Sequence, residues 1–166
     1  MTALEKLVRQ GYPVKLVFWG KSNYAPLVEE IRRRDLSPYV FIAGYMEKED
    51  YEVALEFTDV VVNLRYPSMG ESSGTLCEAF KYGKAAIVSD LNQYQEYPDE
   101  ICWKVPVENR ENEMLAAMIK YLIDYPEVRK VLGENAKNYA DQVLSPDKIA
   151  KMYRDMIDEL VRKENV

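Results

Sequence analysis

A chain of 166 residues with 48% hydrophobic side chains suits one domain around one core and excludes an intrinsically disordered protein. A formal net charge of −6 argues against sequence-independent binding to nucleic acid or anionic lipid, which needs a basic surface. Two cysteines without a CxxC spacing indicate neither a disulfide framework nor a zinc site, and the lack of histidine removes the commonest metal ligand and general base.

Chemistry carried by this chain alone therefore falls to carboxylates, lysines or hydroxyls. Cys77 and Cys102 lie in apolar stretches and read as buried free thiols, which fits a reducing cytosol, so a cytoplasmic location is expected. No signal peptide is expected, and no run approaches the ~20 apolar residues of a membrane span.

Along the chain, Leu4, Leu7 and Val8 predict a first helix with a stop at Gly11. A β-rich run at 14–19 follows. Leu27, Val28 and Ile31 mark a second helix, and 39–44 a second strand. Tyr51, Ala54, Leu55 and Thr58 mark a third helix, and 60–64 a third strand. A short helix at 75–82, closed by Gly83, leads into a strand at 85–89. A brief helix at 94–97 and a strand at 101–107 come next. Met114, Leu115, Met118, Ile119 and Leu122 predict a sixth helix. Val128, Val131, Leu132, Ala136 and Tyr139 predict a seventh, with Pro126 well placed in its first turn. The eighth starts at Ser145 and Pro146 and carries Ile149, Met152, Tyr153, Met156, Ile157 and Leu160. Both the sixth and eighth stripes are expected to face the core.

Strands apolar on both faces, alternating with helices, predict an α/β fold: a Rossmann-like, doubly wound parallel sheet. The chain opens on a helix, whereas such a domain usually begins on a central strand. The expectation is that the first strand lies outside this chain, which spans one domain, 1–166, of a larger protein. The edge so exposed offers a place for a homodimer contact.

The site is expected where the third strand turns into the fourth helix. Ser72, Ser73, Gly74, Thr75 and Leu76 bring small side chains to a helix N-terminus, whose unpaired N–H groups and partial positive charge suit phosphate. Glu71 and Glu78 bracket the turn, and carboxylates accept hydrogen bonds from sugar hydroxyls. Glu78 also fits a capping box opened by Thr75, and Glu71 taken alone reads more often as a solvated loop carboxylate. Lys21 and Arg65 are the nearest cationic candidates, Lys21 reading otherwise as a surface charge and Arg65 as a partner for an acidic side chain.

The stretch from Glu71 through Ser72, Ser73 and Gly74, then Glu78, Ala79 and Phe80 to Gly83 and the apolar run ending at Ser89 and Asp90, resembles the C-terminal domain of GT-B glycosyltransferases of family 4 (group 1). The segments 16–20, 40–46 and 59–63 look like that family's second and third strands and the strand before its site. The resemblance implies a donor-binding domain for a nucleotide diphosphate sugar, transfer of a hexose with retention, no cofactor and no metal. It implies ribose recognition by Glu78, contact with the transferred sugar by Glu71, and a diphosphate cradle at Ser72 to Leu76. It further implies base contacts at Tyr45 and Met46, with Gly20, Lys21 and Gly44 nearby. Two departures stand out. Six residues rather than seven separate Glu71 from Glu78, and a strict count places Gly70 at the first glutamate position. The family's cations for the diphosphate precede its first helix and are not in this chain. The N-terminal acceptor domain is not in it either, so no transfer is expected from the chain alone; in that family the last helix often crosses back to the partner domain, which implies that part of the eighth helix's apolar face is exposed here. A non-catalytic nucleotide-binding or interaction module of the same fold is the alternative; an epimerase or phosphorylase fits less well, for want of a histidine.

Overall fold

The computed structural model describes residues 1–21, 24–68, 70–107 and 110–164. Its elements run α1 (Thr2–Arg9), β1 (Leu16–Trp19), α2 (Leu27–Arg33), β2 (Val40–Gly44), α3 (Lys48–Glu56), β3 (Val60–Asn63) and α4 (Gly74–Lys81). Then come β4 (Ala85–Ser89), α5 (Asn92–Gln95), β5 (Trp103–Val105), α6 (Glu111–Asp124), α7 (Pro126–Gln142) and α8 (Pro146–Glu164). The predicted order of helices and strands is reproduced throughout. The largest boundary differences are two residues at each end: β5 is a short strand inside the expected 101–107, and α5 starts and stops two residues before the expected 94–97.

All strand pairing is parallel, but the strands form two sheets. β1 pairs with β2, starting at Leu16 opposite Val40, and β4 lies between β3 and β5. β1 and β3 therefore each keep one open edge where a continuous doubly wound sheet would have an additional strand.

β4 is buried at all five positions, and its alternation sets the two faces of the core. Ala85 and Ile87 face α1 and α6, against Ala3, Leu7, Leu115 and Leu122. Ala86 and Val88 face α4 and α7, against Leu76, Phe80, Ala136 and Ala140. Helices thus cover both faces, which is why the strand reads as an unbroken apolar run. α1 spans the two sheets: Ala3 and Leu7 pack on the three-stranded side, while Leu4 and Val8 pack with Ile31, Leu36 and Val40 beside the β1–β2 pair. Arg34 links α2 to α1 through Glu5 at 2.6 Å.

α8 departs from the core reading and agrees with the exposure that the resemblance implied. Its stripe was predicted as core, yet Met152 is 68% exposed, Met156 58% and Leu160 57%. Periodicity reports an amphipathic helix but not what covers its apolar side, and no described element does so here. No helix among the described residues is long and apolar enough to cross a membrane.

Candidate nucleotide site

The turn between β3 and α4 is built around one buried hydroxyl. Ser73, 1% exposed, is the N-cap of α4, and its Oγ accepts from the Leu76 N–H at 3.3 Å. Asn63, the last residue of β3, donates its side-chain amide to the same Oγ at 2.8 Å. The helix therefore starts one residue earlier than its pattern indicates, and the expected capping box between Thr75 and Glu78 does not form. Glu78 instead lies in the body of the helix, half-buried.

This cap decides which backbone groups are available. The Leu76 N–H is already engaged by Ser73, and the Leu76 side chain is fully buried. The N–H groups of Ser72, Gly74 and Thr75 have no partner among the described residues, and all three residues are exposed. A Cβ built on Gly74 would meet nothing within 4 Å, so the approach to the helix start is open. Gly70 takes φ of +83°, a left-handed turn that a side chain would strain.

Arg65 brings a cation to this opening. Its Nη1 lies 2.8 Å from Glu71 Oε1, and its Nη2 3.4 Å from Ser73 Oγ. Its own N–H donates to the Oγ of buried Ser89 at 3.0 Å, which ties the turn to the end of β4. The ion pair with Glu71 is about one-third exposed on the arginine side. Of the two sequence readings for Arg65, pairing with an acidic residue is what the structure displays, at a place where a phosphate could still compete.

The other expected residues line the ends of β1 and β2. The Gly20 N–H donates to the Gly44 carbonyl at 2.6 Å, and both glycines have positive φ. Lys21 is exposed beyond Gly20, Tyr45 is 69% exposed and Met46 is half-buried. Trp19, at the end of β1, packs with Tyr51, Leu55, Val61 and Ala79. That cluster carries the β1 end to α4 and so toward Glu78. Asn63 and Ser89 were not expected at the site. An asparagine ending an apolar strand was the available signal for the first, and nothing in the periodicity marks the second.

Residues 1–139 match the family described as Glycosyl transferases group 1. The chain belongs to this family. A glycosyltransferase of Methanocaldococcus jannaschii, itself uncharacterized, is 25% identical over 146 residues, which are 88% of this chain and 37% of that protein. HepE of Anabaena in complex with UDP-glucose superposes with a TM-score of 0.79 at 18% identity, covering 95% of this chain and 44% of HepE. The sucrose-phosphate synthase of Thermosynechococcus elongatus gives 0.78 at 20% identity, covering 98% of this chain and 42% of the synthase. The chain thus spans less than half the length of these relatives. Within the group 1 family its fold is that of the C-terminal, Rossmann-like domain of GT-B glycosyltransferases.

Proposed function

We propose that this chain is the donor-binding half of a group 1 glycosyltransferase that moves a hexose from a nucleotide diphosphate sugar with retention. The observation that carries this reading is the open start of α4, where unpartnered N–H groups, Gly74 and the Arg65 guanidinium converge. The HepE structures with UDP and UDP-glucose support it by likeness of fold.

The diphosphate would sit over Ser72, Gly74 and Thr75, drawing Arg65 from Glu71. Glu78 would accept from the ribose hydroxyls, and Glu71 would turn to the sugar. Tyr45 and Met46 would flank the base, with Lys21 beside them. Catalysis would be chiefly electrostatic: oriented N–H dipoles and the guanidinium bind the diphosphate more strongly as it leaves with negative charge. The acceptor would be held by an N-terminal domain of a longer cytoplasmic protein. Alone, the chain would bind nucleotide weakly and transfer nothing, and its open edge would admit a homodimer.

Titration of the 15N-labelled chain with UDP, GDP and their sugars tests the reading. Shifts are expected at the Ser72, Gly74 and Thr75 amides and at Glu78. No shift with any nucleotide at millimolar concentration would overturn it. A second reading, a nucleotide-binding module without transfer, is favoured by the neutralisation of Glu71 by Arg65. Sugar-dependent shifts at Glu71 that UDP or GDP alone does not produce would count against it.

A further inference from the structure

Tyr51 Oη is shut off from solvent and has no hydrogen-bond partner among the described residues. Native structures rarely leave a buried hydroxyl orphaned without reason, because an unpaired donor loses its hydration and gains nothing in return. The ring itself is firmly held. It meets Trp19 edge-on, with centroids 5.7 Å apart and planes at 89°, and it belongs to the cluster of Leu55, Val61 and Ala79. Tyr51 thus stands where the end of β1, the first turns of α3 and the face of α4 converge.

Tyr82, the C-cap of α4, packs in the same cluster, and Glu78 lies one turn before it on the same face of the helix. Burial chiefly, and then Glu78 and Tyr82, push the Tyr51 phenol above its usual pKa, so it keeps its proton and remains a donor. Burial and the neighbouring Glu52 carboxylate push the Tyr82 phenol up in the same way. The Glu78 carboxylate is the stronger acceptor within the same seam, since hydrogen bonds to ionised acceptors are the strong ones.

We propose that Tyr51 is a positioning residue for Glu78: with a nucleotide bound, its Oη–H donates a hydrogen bond to the Glu78 carboxylate and fixes that carboxylate toward the ribose hydroxyls. The proposal rests on the donor-binding reading above, in which Glu78 takes the ribose. Such outer partners orient a ligand-binding group without touching the ligand, as they do around metal ligands. Contacts of this kind are often long before the ligand arrives and close when it binds.

The test compares the unmodified chain with Tyr51→Phe, Glu78→Gln and the double variant. Each is titrated with UDP and GDP and with their 2′,3′-dideoxy forms. Phenylalanine keeps the ring and the Trp19 contact, so the melting temperature should hold or rise. Tyr51→Phe is expected to weaken UDP or GDP binding roughly tenfold. It should leave dideoxynucleotide binding unchanged and add no further loss to Glu78→Gln. Unchanged UDP and GDP binding in Tyr51→Phe overturns the proposal alone. Equal losses with ribose and dideoxyribose forms also overturn it, since the role would then be structural. If the unmodified chain binds neither UDP nor GDP, the donor-binding reading fails and takes this proposal with it.

Discussion

Arg65 shows how one side chain can serve both fold and ligand. Its backbone ties to Ser89, and its guanidinium bridges Glu71 and Ser73. Partly exposed ion pairs contribute little to stability, so Arg65→Ala should cost at most about 1 kcal/mol in urea unfolding. The same variant should weaken binding of UDP or GDP several-fold while leaving uridine or guanosine unaffected, because the nucleoside lacks the diphosphate. Equal losses for nucleotide and nucleoside would place the arginine elsewhere than at the phosphates. Glu71 and Arg65 were both visible as candidates in the sequence. Pairing of Arg65 with an acidic side chain was one of its two readings, but Glu71 as the partner was not legible, because it depends on how the turn folds back on itself. Ser73 was read as a backbone contact, yet its hydroxyl is the buried hub of the turn.

The thiols follow the same logic of burial. Burial pushes Cys102 from a reference of 9.0 up to about 11, and it raises Cys77 and Tyr97 as well. The sign follows from proton counting. Above pH 9 the unfolded chain releases a thiol proton that the folded chain keeps, so stability falls as pH rises and the contribution levels off near pH 11. Below pH 9 the thiol contributes no slope. The loss from Cys102 is on the order of 2–3 kcal/mol by pH 11. Urea midpoints measured at pH 8, 9, 10 and 11 should decline over the upper range, and Cys102→Ala should flatten part of that decline. A midpoint that climbs above pH 9 would contradict the burial of these groups.

Among the elements, α7 is locked against the turn between α4 and β4 by two glycines. A Cβ on Gly133 of α7 would lie 2.1 Å from the Gly83 carbonyl oxygen, a backbone atom that cannot swing away. Gly133→Ala should therefore destabilise by about 3 kcal/mol or more in denaturant unfolding, although alanine is the better helix former. A neutral result would mean that α7 sits further from the turn at Gly83. α8 gives the opposite expectation. Changing Met156, Ile157 and Leu160 together to serine should cost little stability beyond helix propensity and should raise solubility, because these side chains are already largely exposed. A large drop in melting temperature would show that the face is covered in solution. The amphipathic pattern of α8 was as legible as that of α6. Only the partner of its apolar face was missing from the sequence, and periodicity carries no information on that.

Across the whole molecule, the order of helices and strands was fully legible because each element carries its own period. The division into two sheets was not legible, because strand pairing is a tertiary fact that no single element's period carries. It predicts unequal stability. β4 is paired on both sides and buried throughout, with Ala85 to Val88 at 0–1% exposure. The β1–β2 pair has two open edges, and Phe41 and Ile42 on β2 are 53% and 45% exposed. Its main links to the rest run through α1 and through the contact of Trp19 with Tyr51. Native-state hydrogen exchange should therefore find the β4 amides slowest, exchanging only on global unfolding. The β1–β2 amides should exchange through a cheaper, partial opening. Trp19→Ala should lower protection in β1 and β2 while leaving β4 nearly unchanged, since Trp19 packs on Val61 of β3 and on α4 but on no residue of β4. A nucleotide bridging Lys21 and the α4 start should slow β1 exchange selectively. Equal protection in all five strands would instead mean that the two sheets unfold as one unit, their open edges closed in solution by another strand or a second copy of the chain.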